Sequence, residues 1–155
     1  MQPAVKVLNA AKSKGVKIAT AESCTGGMVA AALTDIAGSS AVVDRGFVTY
    51  SNAAKMQMLG VAAQTLDEHG AVSEEVAVEM ARGALSHSEA NLSVSITGIA
   101  GPGGSEFKPE GRVCFAVSSS KGETKVETIE FGPLGRDKVR SAARDHALNM
   151  LLEML

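Results

Sequence analysis

No tryptophan occurs in this 155-residue chain, tyrosine occurs once, and aromatic residues make up 3% of it. Without a row of aromatic side chains there is no platform on which bases could stack, which argues against single-strand nucleic-acid binding. Basic residues are neither in excess nor clustered. Fifteen Lys and Arg stand against 17 Asp and Glu, for a formal net charge of -2, so the electrostatic footprint of a nucleic-acid partner is missing as well. No apolar run is long enough for a membrane-spanning helix, and no membrane association is expected. Residues 1–18 carry lysines throughout and no continuous apolar segment, so they do not read as a signal peptide. Two cysteines, Cys24 and Cys114, in a chain without an export signal predict reduced thiols and a cytoplasmic location. The three histidines are dispersed and form no HxH or HExxH pattern, and there is no CxxC, so neither a metal nor an organic cofactor is expected.

What is present suits a globular enzyme core. Hydrophobic residues are 45% and charged residues 21% of the chain. A chain of this length buries roughly 70% of its unfolded surface, enough for a core without disulfides. That core must come from Ala, Val, Leu, Ile and Met. Residues 1–155 read as a single domain, with no repeat and no linker. Val5, Leu8 and Ala11 at helical spacing predict a helix over 3–14, stopped by Gly15. Residues 16–20 read as a strand, 21–27 as a turn, and 28–36 as an Ala-rich helix. A second strand is expected over 41–50, then a short helix over 53–59 with Asn52 as its N-cap, and another over 61–69. Ser73 caps a longer helix that turns Val76, Met80 and Leu85 inward. A strand at 92–97 leads into a glycine-rich loop over 98–111. Alternating segments at 112–118 and 124–131 around Lys121-Gly122 predict a β-hairpin, and 136–155 a closing helix. Helices between the early strands and a late hairpin predict an α/β fold, a three-layer α/β/α sandwich with a mixed central sheet.

Four segments carry residues suited to chemistry. In Ala21-Glu22-Ser23-Cys24-Thr25-Gly26-Gly27 a strand runs into a helix through small residues. That junction places Ser23 beside free backbone N–H groups around Cys24, Thr25 and Gly26, which can hold an anion or a developing oxyanion. Ser23 or Thr25 serving only as an N-cap is the plainer reading of the same spacing. Cys24 is a competing nucleophile, since a helix start lowers a thiol pKa, unless it is a small buried hydrophobe. In Tyr50-Ser51-Asn52-Ala53-Ala54-Lys55, Lys55 can act as a base for a serine if burial or a nearby cation disfavours its charged form. Tyr50 can relay a proton or orient the amine. A solvated lysine and a half-buried tyrosine are the ordinary alternatives. Thr97-Gly98-Ile99-Ala100-Gly101-Pro102-Gly103-Gly104 follows a strand end, where open α/β sheets bind ligands, and Gly98, Gly101 and Gly103 let backbone amides approach a phosphate. It matches no Walker A or dinucleotide spacing, and a flexible connection also accounts for it. Arg136 and Arg140 in the first turns of the last helix can pair with a phosphate or simply form a solvated face.

Taken together, TAESCTGG (20–27), TYSNAAK (49–55), AVSEEVAVEMARGA (71–84), SITGIAGPGG (95–104) and GRDKVR (135–140) resemble the carboxy-terminal domain of the CinA (competence/damage-inducible) family. That family includes stand-alone nicotinamide-nucleotide amidohydrolases. The resemblance runs in order along nearly the whole chain. It implies a Ser–Lys amidase that hydrolyses the carboxamide of nicotinamide mononucleotide to nicotinic acid mononucleotide and ammonia. Ser23 falls at the family's nucleophile, Lys55 at its base, Tyr50 at its supporting tyrosine, and Thr97 and Arg136 at substrate-binding positions. Two stretches depart from the family pattern. Leu134-Gly135-Arg136 stands where Gly-Asp-Arg is common, and Ser105-Glu106-Phe107-Lys108-Pro109 where a Gly-Thr-Pro-like stretch is common.

A reading from a different class is a non-catalytic nucleotide-binding regulatory module of the competence or DNA-damage response, acting through a protein partner. A Cys24 thiol hydrolase is a third, weakened by the lack of a histidine at any motif position. The Ser23–Tyr50–Lys55 set separates the first reading from the second, because a binder needs no base. A homodimer is expected, since an Ala- and Met-rich surface helix is easily buried in a partner.

Overall fold

The computed structural model describes residues 1–105 and 107–155; Glu106, part of the predicted glycine-rich loop, lies outside the described residues. Six α-helices and five strands follow one another along it: α1 (Pro3–Lys14), β1 (Ile18–Glu22), α2 (Met28–Thr34), β2 (Val43–Val48), α3 (Asn52–Leu59), α4 (Ala63–His69), α5 (Glu74–Ser86), β3 (Leu92–Gly98), β4 (Arg112–Ser119), β5 (Thr124–Glu130) and α6 (Arg136–Glu153). The strands form one sheet in the order β2-β1-β3-β4-β5. β1 pairs in parallel with both β2 and β3, while β3–β4 and β4–β5 are antiparallel. This is the mixed, helix-covered sheet expected.

Side-chain alternation on the strands divides the core. Ile18, Val94, Ile96, Val113, Phe115 and Val117 face α1, α2 and α6. Ala19 and Ala21 face Leu59, Leu66, Val76 and Met80 of α3, α4 and α5, and Cys114 and Ala116 face Ala77 and Ala81 of α5. β1 is buried over its whole length, as an interior parallel strand must be when helices cover both faces. The small residues on the second face let α5 lie close. Gly83 marks the limit of that approach, because a Cβ there would collide with the Leu59 carbonyl at the end of α3.

Several boundaries differ from the sequence expectation for local reasons. β1 begins two residues later and reaches Glu22, since Ala21 and Glu22 still pair with Ser95 and Ile96. The second strand starts at Val43 because 39–41 form a 3-10 turn. Ser51, not Asn52, caps α3: its hydroxyl accepts the Ala54 amide at 3.0 Å. Ser73 caps α5 as expected, accepting the Val76 amide at 3.2 Å. Such caps contribute about 1 kcal/mol each.

This topology has one functional consequence. The chain leaves β1 for β2 through α2, and returns from β2 to β3 through α3, α4 and α5, which lie on the other face. The carboxyl ends of β1, β2 and β3 therefore flank a crevice at the point where the strand order reverses, the place where such sheets bind ligands. The segments after Glu22, Val48 and Gly98, and the start of α6, all open at that end.

Candidate active site

A cavity of about 330 Å³ occupies the crevice, at the small end of the size range of ligand pockets. Its lining includes Ser23, Cys24, Tyr50, Lys55, Thr97, Gly98, Gly101, Gly103 and Arg136. Four separate segments singled out from sequence thus meet in one space. Thr25, Gly26 and Arg140 do not line it.

The deep end is built on backbone. Ser23 follows β1 directly, and its amide donates to the Ile96 carbonyl of β3 at 3.0 Å. Its side chain is buried together with Lys55, which is only 1% exposed. Lys55 Nζ lies 3.2 Å from Ser23 Oγ, 3.0 Å from the Thr49 carbonyl and 3.4 Å from the Tyr50 carbonyl. The Thr49 amide in turn donates to the Glu22 carbonyl at 2.9 Å, tying the segment that cradles the amine to the strand that carries the serine.

The turn 23–27 is held from both sides. Gly27 at the start of α2 has no side chain with which to cap, so the helix amides need another acceptor. Glu22 supplies it. Its buried carboxylate accepts the Val29 amide at 2.9 Å, the Ala30 amide at 3.1 Å and the Thr25 hydroxyl at 2.6 Å. On the other side Arg140 Nε donates to the Cys24 carbonyl at 3.0 Å and Nη2 to the Thr25 carbonyl at 3.3 Å. Arg140, expected at a phosphate, instead braces the turn, and the Thr25 hydroxyl is engaged by Glu22. The Gly26 amide, one of those expected to face an oxyanion, donates to the Ser23 carbonyl at 3.0 Å. The amides of Cys24 and Thr25 donate to no backbone carbonyl among the described residues.

Cys24 is unsuited to attack. Burial pushes its thiol from 9.0 up to about 12, and the nearby Glu22 carboxylate adds to the rise against the opposing pull of its own backbone amide, Arg140 and Lys55. Burial also raises the Cys114 thiol.

At the mouth, Tyr50 is 62% exposed and its phenol oxygen accepts Arg136 Nη2 at 2.9 Å. Arg136 Nη1 donates to the Gly101 carbonyl at 2.7 Å, so this exposed guanidinium bridges the β2 side and the glycine loop. The Thr97 hydroxyl donates to the Ala71 carbonyl at 2.8 Å, and Lys108 Nζ donates to the His69 and Val72 carbonyls. These bonds draw residues 71–72 into the cavity wall. The sequence reading assigned no site role to that wall, although Ala71 and Val72 open the 71–84 stretch that carries part of the family resemblance. It also missed Glu22, for which there was a signal: a helix opening on Gly-Gly with an acidic residue just upstream. Among the described residues no group of His, Cys, Asp or Glu could hold a metal ion, and no helix is long and apolar enough to cross a membrane.

Known proteins share this fold and much of this sequence. The nicotinamide-nucleotide amidohydrolase PncC of Escherichia coli K12 is 55% identical over 152 residues, 97% of this chain and 92% of that protein. A CinA-like protein of Chloroherpeton thalassium is 59% identical over 93% of this chain, which spans 35% of that longer protein. Among solved structures, the competence/damage inducible protein CihA from Agrobacterium tumefaciens superposes with a TM-score of 0.96 at 50% identity, covering 98% of this chain and 93% of that one. The CinA C-terminal domain family matches residues 2–155, and the chain belongs to it.

Proposed function

We propose that the protein is an amidohydrolase that deamidates nicotinamide mononucleotide, with Ser23 as nucleophile and Lys55 as general base. The observation that carries the reading is the 3.2 Å contact between Lys55 Nζ and Ser23 Oγ at the closed end of the cavity, within reach for proton transfer. A mere nucleotide binder has no use for that pair. The names of the relatives supply the substrate class.

The neighbours of the amine suit a base. A neutral lysine has two N–H donors and one lone pair. The carbonyls of Thr49 and Tyr50 can take the donors, which leaves the lone pair for the Ser23 hydroxyl proton. Ser23 Oγ then attacks the carboxamide carbon as its proton passes to Lys55. The carbonyl oxygen becomes an oxyanion, for which the Cys24 amide at the cavity lining is the candidate donor; one such donor is typically worth about 3–4 kcal/mol. The protonated amine returns its proton to the departing nitrogen, which leaves as ammonia. Water, deprotonated by Lys55, cleaves the resulting ester to the carboxylate and regenerates Ser23. Arg136 and the glycine loop at the mouth suit the phosphate end, where charge-assisted bonds fix orientation.

Ammonia release from nicotinamide mononucleotide tests the reading. The wild type should release it, Ser23→Ala should lose about 10⁴-fold or more in kcat with thermal stability retained, and Cys24→Ala should keep most activity. The reverse pattern for the two variants would assign the nucleophile to Cys24.

A further inference from the structure

One amide of the glycine turn at the cavity mouth is already taken. Gly103 N–H donates to Glu110 Oε1 at 2.6 Å. The carboxylate lies directly against the turn, since a Cβ on Gly101 would meet it. Gly101 and Gly103 both have positive φ, +93° and +78°, so glycine is what lets the backbone fold around that oxygen. On the Gly101 carbonyl sits Arg136, at 2.7 Å. No arginine, histidine or surface lysine among the described residues forms an ion pair with Glu110. The neighbouring cations are committed elsewhere: Arg112 bonds Glu130 at 2.6 Å, and Lys108 donates to the carbonyls of His69 and Val72. A carboxylate seated on an amide of a glycine turn makes the contact that a phosphate oxygen makes in such turns.

We propose that Glu110 is an internal anion that fills this seat until the phosphate of the substrate displaces it, and that it thereby sets how strongly the site discriminates phosphorylated from unphosphorylated ligands. The phosphate's identity as part of a nicotinamide nucleotide rests on the deamidase reading; the anion seat itself does not. Two anions cannot share one N–H, so a phosphate drawn in by Arg136 reaches Gly103 only as the carboxylate swings away. Part of the phosphate's attraction to the turn is spent on that exchange. Glutamine at 110 keeps the length and an acceptor oxygen without the opposing charge, and alanine empties the seat.

The test uses Glu110→Gln and Glu110→Ala in the full chain. Inorganic phosphate is titrated against each protein and followed at the Gly103 amide by ¹H–¹⁵N NMR, and kcat/KM is measured on nicotinamide mononucleotide and nicotinamide riboside. The phosphate dissociation constant should fall about three- to tenfold in both variants, and the mononucleotide-to-riboside preference should rise by a similar factor. An unchanged phosphate affinity overturns the proposal. So does a loss on both substrates that alanine shows and glutamine does not, which would make Glu110 a brace for the turn. The titration needs no turnover: tighter phosphate binding without ammonia release from the mononucleotide upholds the seat and overturns the deamidase reading instead.

Discussion

The two ends of the cavity are held by different means. At the deep end, Ser23 and Lys55 are buried, and their neighbours are backbone groups of β1, β3 and the 49–50 segment, which cannot rotate away. At the mouth, Arg136, Tyr50 and the glycine turn meet through exposed side chains and a loop. Groups fixed in a water-poor site act at full strength without reorganising, whereas exposed charged groups are screened and must give up rotamer freedom to bind. The deep end is thus built for one geometry and the mouth for exchange. On the proposed reading, chemistry belongs at the first and ligand capture at the second.

The strongest test of that division is at Lys55. Lys55→Arg keeps the charge but not the base, because a guanidinium does not deprotonate in the working range. Ammonia release should fall by about 10²–10⁴-fold. In the wild type, kcat/KM should rise with pH through the pKa of the free enzyme's base, because only the neutral amine accepts the serine proton. Near-normal turnover in the arginine variant would reduce Lys55 to a charge contact and leave the deep end without its base.

A smaller effect separates the two arginines. Arg136→Ala removes a candidate phosphate partner from the mouth and should cost about 1.5–3 kcal/mol on the mononucleotide and little on the riboside. Arg140→Ala unbraces the turn behind Ser23 and should lower turnover of both substrates by a common factor. Exchanged patterns would move the phosphate to Arg140 and require the turn to open.

The smallest change is expected from Tyr50→Phe. Its phenol holds Arg136, and an exposed hydrogen bond of this kind contributes about 0.5–1.5 kcal/mol, mostly in KM. A hundredfold loss in kcat would instead place the phenol on the proton path and carry Tyr50 from the mouth to the deep end.

How far the sequence could be read follows the same divide between local and long-range bonds. The order of helices and strands was legible because apolar periodicity and glycine stops are local signals. So was the convergence of Ser23, Lys55, Thr97 and Arg136, since segments that follow parallel strands open at one end of a sheet. The reach of β1 to Glu22 was not, because it depends on pairing with Ile96, far along the chain. The role of Arg140 was hidden for the same reason: its acceptors lie 115 and 116 residues away, and spacing within α6 says nothing about them. Asn52 and Ser51 are both good capping residues, and only the helix geometry chooses between them. Glu22 was within reach of sequence reasoning, because a helix that starts on two glycines leaves amides that something must satisfy.

Gly83 limits how this protein can drift. Lys55 and Leu59 lie one turn apart on α3, so the depth at which that helix seats against α5 also sets the reach of the amine toward Ser23. What a side chain at 83 would strike is the Leu59 carbonyl, a backbone atom. No exchange of side chains at position 59 can make room for it, whereas apolar neighbours such as Met80 and Ala84 can trade volume with one another. Position 83 is therefore closed to compensation although it never touches the cavity, and a substitution there should lower thermal stability and, by shifting α3, activity with it.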